Sequence, residues 1–322
     1  MRAAVLYPEA SAVRIVDVPE PRPATGWAVL EVGAAGLCHT DLHVMEGMQF
    51  SAKNTVDYTV TRPRILGHEV AGTVVEVGDP ADDEWLGRRV AIGSGEQRHV
   101  TPGMHIDGGL AQFCAVPVTS LVTVPDGVPI EIAAVAPDSI STAYSAVHQA
   151  GAISAADRVA VIGLGGLGLS AVRIAGLSGA TVFGVDIDPS RFAAAEAAGA
   201  RSCVGDVTEL TDEGLSLVID FVGGRTTSAA VDAVGVAGRV VLVGLGASQM
   251  TVSPLSLVLG RKSLIGSLGS PKGQVLRKVL DLIAAGQITP AVEAVPFDEL
   301  VSAYDRLRSG KVLGRMVTRP ND

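Results

Sequence analysis

The sequence has few of the residues that would place it in several large classes of protein. Only three of its 322 residues are cysteine, at positions 38, 114 and 203, which is too few for the disulfide framework of a small secreted protein. Charged residues make up only 18% of the chain and hydrophobic residues 48%. This balance is typical of a well-buried soluble protein and excludes a disordered one.

An excess of positive charge and a long hydrophobic run are also absent. The formal net charge of −9 and the pI near 5.2 argue against a surface for nucleic acid or for anionic membranes. The N-terminal segment has no long apolar core with a small-residue cleavage site, so we predict no signal peptide. The longest apolar stretch lies between Arg158 and Arg173 and is too short to span a bilayer. We therefore expect a cytoplasmic protein with reduced thiols.

The stretch at residues 158–191, RVAVIGLGGLGLSAVRIAGLSGATVFGVDIDPSR, organises the rest of the chain. Its short β-branched run at Val159–Ile162 predicts a buried strand, and the Ala- and Leu-rich segment after the glycines predicts a helix. A second apolar run at Thr181–Val185 predicts another strand, which ends on Asp186. This strand, glycine turn, helix and strand are the context in which dinucleotide-binding motifs occur.

The glycine turn itself supplies Gly163, Gly165, Gly166 and Gly168. One glycine of such a motif makes the tight turn, the next lets the backbone approach a pyrophosphate, and the third lets helix and strand pack closely. Asp186 stands where a carboxylate would bind both ribose hydroxyls of the adenosine in NAD. A glycine-rich turn without a ligand is the alternative, but the flanking strands, helix and acidic tip together favour nucleotide binding.

The flanking regions differ in their periodicity. Residues 1 to about 130 read as all-β, with short alternating runs between Gly, Pro and Asp turns. Residues 130–150 are small, apolar and helical, with Pro137 as an interruption. Strands and helices alternate from Arg158 onward, which predicts a parallel sheet with helical crossovers. Two amphipathic helices, at 272–286 and 297–310, and a last strand at 313–317 suggest a tail that returns to the first domain.

A second concentration of titratable residues follows one predicted strand and precedes another: Cys38, His39, Thr40, Asp41, His43, His68 and Glu69. A thiolate, an imidazole and one more anionic ligand make a catalytic zinc site with an open fourth position. Taken singly, Cys38 is typical of a small buried hydrophobe and His68 of a hydrogen-bonded core residue. Their concentration in two glycine-flanked turns of a chain with six histidines favours the metal site.

The sequence resembles the zinc-dependent alcohol dehydrogenases of the medium-chain dehydrogenase/reductase superfamily over nearly its whole length. The resemblance rests on C-x-T-D-x-H from Cys38, G-H-E from Gly67, the GLGGLG turn from Gly163 and a closing G-R-x-V from Gly314. It implies an α/β protein with a GroES-like, β-rich catalytic domain at 1–135. A Rossmann domain with a doubly wound parallel sheet would follow at 136–268, and the segment 269–322 would complete the catalytic domain.

The resemblance also implies roles for individual residues. Cys38 and His68 would bind zinc, Asp41 would orient His68, and Glu69 would lie behind the metal as a transient ligand. The resemblance further implies which residues form a proton relay and which contact the cofactor. Thr40 and His43 would carry the alcohol proton outward, and Leu167 would press on the nicotinamide. Arg191 would lie by the adenosine ribose, Arg315 and His39 would face the pyrophosphate, and Thr142 would contact the cofactor.

Four stretches depart from the family pattern. Where many relatives have a third cysteine ligand, counting back from Thr142 places Asp138. Carboxylate is a legitimate zinc ligand, which favours Asp138 as the third ligand, but an N-cap at the start of a helical run is the alternative. Residues 92–109 contain no cysteine, so we expect one catalytic zinc and no structural zinc, because His99 and His105 alone cannot close a tetrahedral site.

The remaining two departures concern connections. The segment 45–66 is long for the family. Its loop at 46–64 is equally consistent with a substrate-selecting lid and with a tolerated surface insertion. The stretch between Ala200 and Asp220 is too short for a full crossover helix and predicts only a turn or two.

These features together predict a zinc enzyme that passes a hydride between an alcohol, or its aldehyde or ketone, and NAD. Its partners would be a small-molecule substrate and further copies of itself, as a homodimer or homotetramer, with no nucleic acid and no membrane. The nearest alternative is a zinc-free quinone or enoyl reductase of the same superfamily, which has no need for the Cys/His/Asp set. A non-catalytic nucleotide-binding protein is the alternative from another class, and the Thr40–His43 pair argues against it.

Overall fold

A computed structural model describes residues 1–47, 60–93, 100–269 and 273–322. The chain divides into two compact units: Met1–Asp138 with Pro271–Asp322 form the first unit, and Ser139–Ser270 form the second unit. The C-terminal segment therefore belongs to the unit in which the chain begins, as the fold class predicted. The expected domain boundaries, after residues 135 and 268, stay predictions.

The first unit is built from short, mostly antiparallel strands. Its strands are β1 (Arg2–Leu6), β2 (Arg14–Asp17), β3 (Trp27–Gly36), β4 (Arg64–Ile65), β5 (Glu69–Val77), β6 (Arg89–Ile92), β7 (Phe113–Pro117), β8 (Leu121–Thr123), β15 (Val292–Ala294) and β16 (Arg315–Thr318). One sheet has the order β2-β1-β4, and a larger one has the order β15-β16-β3-β5-β6-β8, with β7 paired to β3. The tail enters the larger sheet where β16 pairs antiparallel to β3, with Val317 opposite Gly36.

The expectation that residues 1 to about 130 are all-β is wrong at one place that matters. His39–Met45 form a helix, α1, immediately after β3, so the residues of the C-x-T-D-x-H motif lie on a helix and not in a turn. The helix buries Leu42, Val44 and Met45 in the core of the first unit. Its seven residues span only two turns, which is too short for helical periodicity to stand out beside the strands.

Among its described residues, the first unit has three further α-helices: α2 (Ile130–Val135), α8 (Gly273–Ala284) and α9 (Leu300–Arg308). After α2 the backbone stays helical through wider π turns at Ala136–Ile140, then α3 (Ser141–Tyr144), then a second π segment at Ser145–Ala150. Pro137 has no N–H and cannot complete a regular α-helical turn, so the predicted interruption is a change of helix type and not a break.

The second unit holds a six-stranded parallel sheet. Its strands are β9 (Arg158–Ile162), β10 (Thr181–Val185), β11 (Ser202–Val204), β12 (Leu217–Asp220), β13 (Arg239–Leu242) and β14 (Ser263–Gly266), in the order β11-β10-β9-β12-β13-β14. Its regular helices are α3, α4 (Gly166–Leu177), α5 (Phe192–Ala198), α6 (Arg225–Ala233) and α7 (Pro254–Gly260). This is the predicted doubly wound sheet. In sheets of this kind, ligands bind at the carboxyl ends of the strands where the strand order reverses, which here is between β9 and β12.

The short crossover is also confirmed. Between β11 and β12 the structure has only a 3₁₀ helix, Val207–Glu213, which Asp206 and Glu209 cap and which Gly214 ends in a left-handed conformation. Within the part of the chain that the structure describes, no helix is both long enough and apolar enough to cross a membrane.

Candidate metal and nucleotide sites

Cys38 stands where β3 ends and α1 begins, and it caps that helix. Its backbone is extended, the Thr40 N–H donates to its sulfur at 3.5 Å, and its own N–H donates to Asp41 Oδ2 at 3.0 Å. This reciprocal arrangement is a capping box with a thiol in place of the usual hydroxyl. The cap fixes the Cys38 side chain at the N-terminus of α1.

His68 and Glu69 reach the same place from the neighbouring strand. Glu69 is the first residue of β5 and is paired with Gly36, the last residue of β3. The carboxylate of Glu69 occupies the space that a side chain at position 36 would fill, since a Cβ built there would lie 2.0 Å from Glu69 Oε2. Because Gly36 has no side chain, it leaves a recess into which the Glu69 side chain packs.

Asp138 approaches from the helical segment after α2. It lies within the π turn Ala136–Ile140 and not at the start of a helix, so the N-cap alternative does not describe it. Its Oδ2 lies 3.3 Å from Cys38 Sγ and 3.7 Å from His68 Nε2. The residue that the sequence pattern offered as a third ligand therefore lies beside the other two.

One ligand atom from each of Cys38, His68, Glu69 and Asp138 lies within 4.8 Å of the others. The Nε2 atom of His68 is buried and has no hydrogen-bond partner among the described residues, while its Nδ1 lies 3.2 Å from Asp41 Oδ1. A buried, unsatisfied imidazole nitrogen facing a thiol and a carboxylate is the donor arrangement that zinc requires. The residues present thus fit the metal that the motif predicted.

The electrostatics of the cluster are those of a cation site. Burial would raise the pKa of Asp138, but the neighbouring His68 and Arg315 lower it well below its usual range, so the carboxylate is ionised as a ligand must be. Burial opposes a charge on His68, yet Asp41 and Cys38 raise its pKa well above the usual range. Metal binding at Nε2 would compete with that proton and release it.

Arg315 extends into this cluster from β16. Its Nη2 lies 2.8 Å from Glu69 Oε1, 2.9 Å from Asp138 Oδ2 and 3.4 Å from Cys38 Sγ. The expectation that Arg315 faces the cofactor pyrophosphate stays a prediction, because in this structure its guanidinium group contacts candidate metal ligands. Burial raises the pKa of Glu69 well above its usual range although Arg315 opposes this shift.

The remaining residues of the first motif lie along α1. The Thr40 hydroxyl is 3.5 Å from Cys38 Sγ, and His43 follows one turn later, so both lie on the same side of the helix. His43 is half-buried, and this burial lowers its pKa despite the opposing charge of Glu46, so the ring is neutral and able to accept a proton at pH 7. His39 is exposed at the start of the helix.

Tyr304 is a site residue that sequence reasoning missed. It lies on α9 with 3% of its surface exposed, and its hydroxyl donates to Asp41 Oδ2 at 3.0 Å across 263 positions of sequence. No local pattern around position 304 predicts this contact, because α9 reads as an ordinary amphipathic helix.

The glycine turn of the second unit has the geometry expected of a dinucleotide motif. Gly163 has a φ of +87°, a conformation that favours glycine. A Cβ at Gly168 would lie 1.8 Å from the carbonyl oxygen of Gly163, so only glycine permits this approach of helix to turn. Gly165 is the N-cap residue of α4, which begins at Gly166 and includes Leu167. The free N–H groups of that helix start are a site for phosphate.

Asp186 follows β10 and is hydrogen-bonded to the same glycine turn. Its Oδ2 accepts a hydrogen bond from the Leu164 N–H at 2.8 Å, and its Oδ1 accepts one from the Asp188 N–H at 2.9 Å. Arg191 Nε lies 3.9 Å from Asp186 Oδ2 and 3.7 Å from Asp188 Oδ2. The structure thus brings the acidic tip, the glycine turn and Arg191 together, as the sequence predicted.

Two buried residues flank this region of the second unit. Thr142 on α3 is buried, and a Cβ at Gly269 would lie 2.2 Å from its hydroxyl oxygen. Asp220 at the end of β12 was not singled out from the sequence. Its carboxylate accepts bonds from the N–H groups of Val222 and Gly223 and from the hydroxyls of Thr226 and Thr227. It therefore fixes the loop at the carboxyl edge where the strand order reverses.

A second metal cluster is not found among the described residues, in which Cys38, His68, Glu69 and Asp138 form the one group of at least three candidate ligands. Cys114 is buried in β7, and Cys203 is partly buried in β11. Residues 94–99, with His99, and most of the loop at 46–64 lie outside the described residues.

Comparison with protein families gives two matches. Residues 24–126 match the alcohol dehydrogenase GroES-like domain, and residues 166–285 match the zinc-binding dehydrogenase family. Among curated relatives, the NAD-dependent alcohol dehydrogenase of Sulfurisphaera tokodaii is 30% identical over 350 residues, covering 99% of this chain and 100% of its own length. That of Sulfolobus acidocaldarius is 31% identical over 347 residues, covering 99% of both chains.

Solved structures agree with these matches. The acetophenone reductase from Geotrichum candidum in complex with NAD has a TM-score of 0.90 and 30% identity, covering 100% of this chain and 98% of that one. The alcohol dehydrogenase from Aeropyrum pernix has a TM-score of 0.87 and 28% identity, covering 99% of this chain and 100% of that one.

Proposed function

This chain belongs to the zinc-dependent alcohol dehydrogenases of the medium-chain dehydrogenase/reductase superfamily, and from that membership we propose how its own residues interconvert an alcohol and a carbonyl compound with NAD. The observation that carries the proposal is the buried Nε2 of His68, which has no hydrogen-bond partner among the described residues and faces Cys38 and Asp138. A zinc-free reductase would have no use for such an arrangement.

In this proposal Cys38, His68 and Asp138 hold one zinc ion. When bound, zinc supplies Lewis-acid polarisation of the alcohol or carbonyl oxygen. Two anionic ligands and one neutral imidazole balance its charge, and Asp41 holds the His68 ring in the tautomer that leaves Nε2 free to bind. Glu69 lies in the same cluster as the candidate transient ligand. The lack of cysteine between residues 92 and 109 supports one zinc per chain and no structural zinc.

The proposed proton path runs along α1. The Thr40 hydroxyl lies beside Cys38 Sγ, at the metal end of the helix, and His43 lies one turn away. Burial keeps the His43 ring neutral near pH 7, so it is able to take the proton that leaves the alcohol. His39 lies at the exposed start of the same helix, where we place it near the cofactor phosphates.

The second unit would bind NAD through the glycine turn and Asp186. The N-terminus of α4 would receive the pyrophosphate, with Leu167 toward the nicotinamide and Thr142 as a further contact. Backbone N–H groups hold the Asp186 carboxylate at the strand tip, where it would accept bonds from a free 2′-hydroxyl and repel a 2′-phosphate. Arg191 would lie beside the adenosine ribose, and Arg315 remains a candidate for the pyrophosphate.

We also propose a homodimer or homotetramer. The β14 strand is at one end of the six-stranded sheet and pairs only with β13 in the part of the chain described. The adjoining helix α7 exposes Leu255, Val258 and Leu259 by 69%, 72% and 75%. An open strand edge beside exposed apolar side chains is a surface that a second copy would cover. A cytoplasmic location is part of the proposal and is supported by three unpaired cysteines.

The test combines metal analysis with turnover. The purified protein should contain one zinc per chain and oxidise members of a panel of primary and secondary alcohols with NAD. Asp138→Ala should lose zinc and turnover while still binding NAD, and Asp138→Cys should retain metal. Asp157→Ala is the matched control, because Asp157 is a buried carboxylate of the second unit whose bonds go to Arg239 and nearby serines.

Each alternative function predicts a different outcome of these experiments. A protein that reduces quinones or enones without any metal would be the zinc-free reductase, and one that binds NAD without turning over any alcohol or carbonyl would be the non-catalytic protein. Full zinc occupancy in Asp138→Ala would remove Asp138 from the ligand set, and two tightly held zinc ions per chain would contradict the single site.

A further inference from the structure

Tyr304 carries the one polar group on the buried face of α9. The other buried residues of that helix, Leu300, Ala303 and Leu307, are apolar and pack into the core of the first unit. A hydroxyl in such surroundings costs free energy unless it is hydrogen-bonded. Its partner is Asp41 Oδ2, at 3.0 Å.

Asp41 is itself buried, with 2% of its surface exposed, and its two oxygens are used differently. Oδ2 accepts hydrogen bonds from the Tyr304 hydroxyl and from the Cys38 N–H, both at 3.0 Å. Because the carboxylate is planar and rigid, fixing Oδ2 from two directions fixes Oδ1 as well. Oδ1 lies 3.2 Å from His68 Nδ1.

The orientation of His68 depends on that contact. A proton on Nδ1 shared with Asp41 leaves the lone pair on Nε2, the atom that faces Cys38 and Asp138. Burial and the nearby charge of Asp41 raise the pKa of Tyr304 well above its usual range, so the phenol stays a donor. The chain of contacts therefore runs from α9 through Asp41 to the imidazole.

We propose that Tyr304 is a positioning residue for the metal site: its hydroxyl fixes the Asp41 carboxylate, and Asp41 in turn fixes the ring and tautomer of His68. The proposal rests on the proposed function, since it concerns the same zinc ligand. Tyr304, a residue of the C-terminal segment, would then determine metal affinity through its hydrogen bond to Asp41.

Tyr304→Phe tests this directly, because phenylalanine fills the same space without the hydroxyl. Losing the direct hydrogen-bond partner of a metal-binding histidine costs about 10–100-fold in affinity. For this indirect partner we expect the low end, about tenfold weaker zinc binding in chelator competition. We also expect an altered absorption spectrum of the cobalt-substituted protein, which reports the ligand geometry independently of turnover.

Leu307→Ala is the matched control. Leu307 lies on the same buried face and is 4% exposed, but it has no polar group to offer Asp41. Its loss should lower the melting temperature through a cavity, while zinc affinity and the cobalt spectrum at 20 °C stay those of the wild type. If Leu307→Ala weakens zinc binding as much as Tyr304→Phe does, the effect is general loosening of α9 and the proposal is overturned.

An Asp41→Asn background gives the second test. If Tyr304 acts through Asp41, Tyr304→Phe should weaken zinc binding about tenfold in the wild type and little in the Asp41→Asn protein. Equal effects in both backgrounds would refute the proposal, as would wild-type zinc affinity in Tyr304→Phe alone. Failure of the proposed function would look different, because the unmodified protein would then bind no zinc or turn over no alcohol.

Discussion

Replacing Gly36 by alanine should disturb the metal cluster through a single methyl group. A Cβ at this position would lie 2.0 Å from Oε2 of Glu69, 2.9 Å from its Cβ and 3.0 Å from its Cδ, whereas ordinary contacts begin near 3.4 Å. The carboxylate oxygen must therefore move by about 1.4 Å. Glu69 is fully buried and its Oε1 lies 2.8 Å from Arg315 Nη2, so a movement of the carboxyl group disturbs this contact.

The expected cost follows from overpacking of a buried site. Inserting a methyl group into a well-packed interior typically costs about 1–3 kcal/mol, and here it also disturbs the buried contact between Glu69 and Arg315. The assay is the free energy of unfolding in urea and the melting temperature of Gly36→Ala, measured beside Glu69→Ala and the double variant. Because Glu69→Ala empties the recess, adding Gly36→Ala to it should cost less than Gly36→Ala costs alone, by about 1 kcal/mol or more.

The outcome that would refute this reasoning is additivity. If Gly36→Ala destabilises the protein equally with and without the Glu69 carboxylate, the recess is not what requires glycine. Backbone preference is a poor alternative explanation, since Gly36 is not among the glycines with positive φ.

Three more predictions concern the second unit. Gly168→Ala should abolish measurable NAD binding while zinc content stays unchanged, because its Cβ would lie 1.8 Å from a backbone oxygen. Gly176→Ala is the control: outside its own helix backbone and its two chain neighbours, no atom lies within 4 Å of the new Cβ. This variant should bind NAD normally and gain about 0.5–1 kcal/mol in stability. The wild type should use NAD better than NADP. Asp186→Ala should lose about tenfold or more in kcat/KM for NAD, the equivalent of one charged hydrogen bond. Better use of NADP by the wild type would contradict the assignment of Asp186 to the adenosine ribose. Burial would raise the pKa of Asp157, but hydrogen bonds from Arg239 and Ser216 hold it well below its usual range. Asp157→Asn should therefore be less stable than wild type at pH 7, and the difference in melting temperature should shrink below about pH 4 as the unfolded carboxyl takes up its proton; a difference that persists at low pH would rule out this linkage.

The parts of the fold that the sequence predicted correctly are those encoded by contiguous residues. Thr181–Val185 is a strand with the predicted bounds, and Asp186 lies beside the glycine turn, because strand, turn, helix and strand follow one another along the chain. Local patterns of this kind need no long-range information.

What the sequence did not predict has two physical causes. α1 was missed because its seven residues are too few for a periodic pattern and because cysteine is an unusual N-cap. The contact of Tyr304 with Asp41 and that of Arg315 with Asp138 were missed because they join positions more than 170 residues apart. Such pairing is decided by how β16 and α9 pack against the first unit, and no periodicity records it. Asp138 could be placed only as a choice between ligand and cap, since that depends on the helix type that follows Pro137.

The dispersal of the metal cluster along the chain has a consequence for biosynthesis. Its groups come from α1, the start of β5, the segment after α2, and the C-terminal α9 and β16. Synthesis proceeds from the N-terminus, so Cys38, His68 and Asp138 emerge from the ribosome long before Tyr304 and Arg315. A nascent chain thus exposes its thiol and imidazole while the second unit is still being made. The contacts of Tyr304 and Arg315 can form only when translation has passed Arg315, so the three proposed ligands are synthesised well before the residues that surround them are complete.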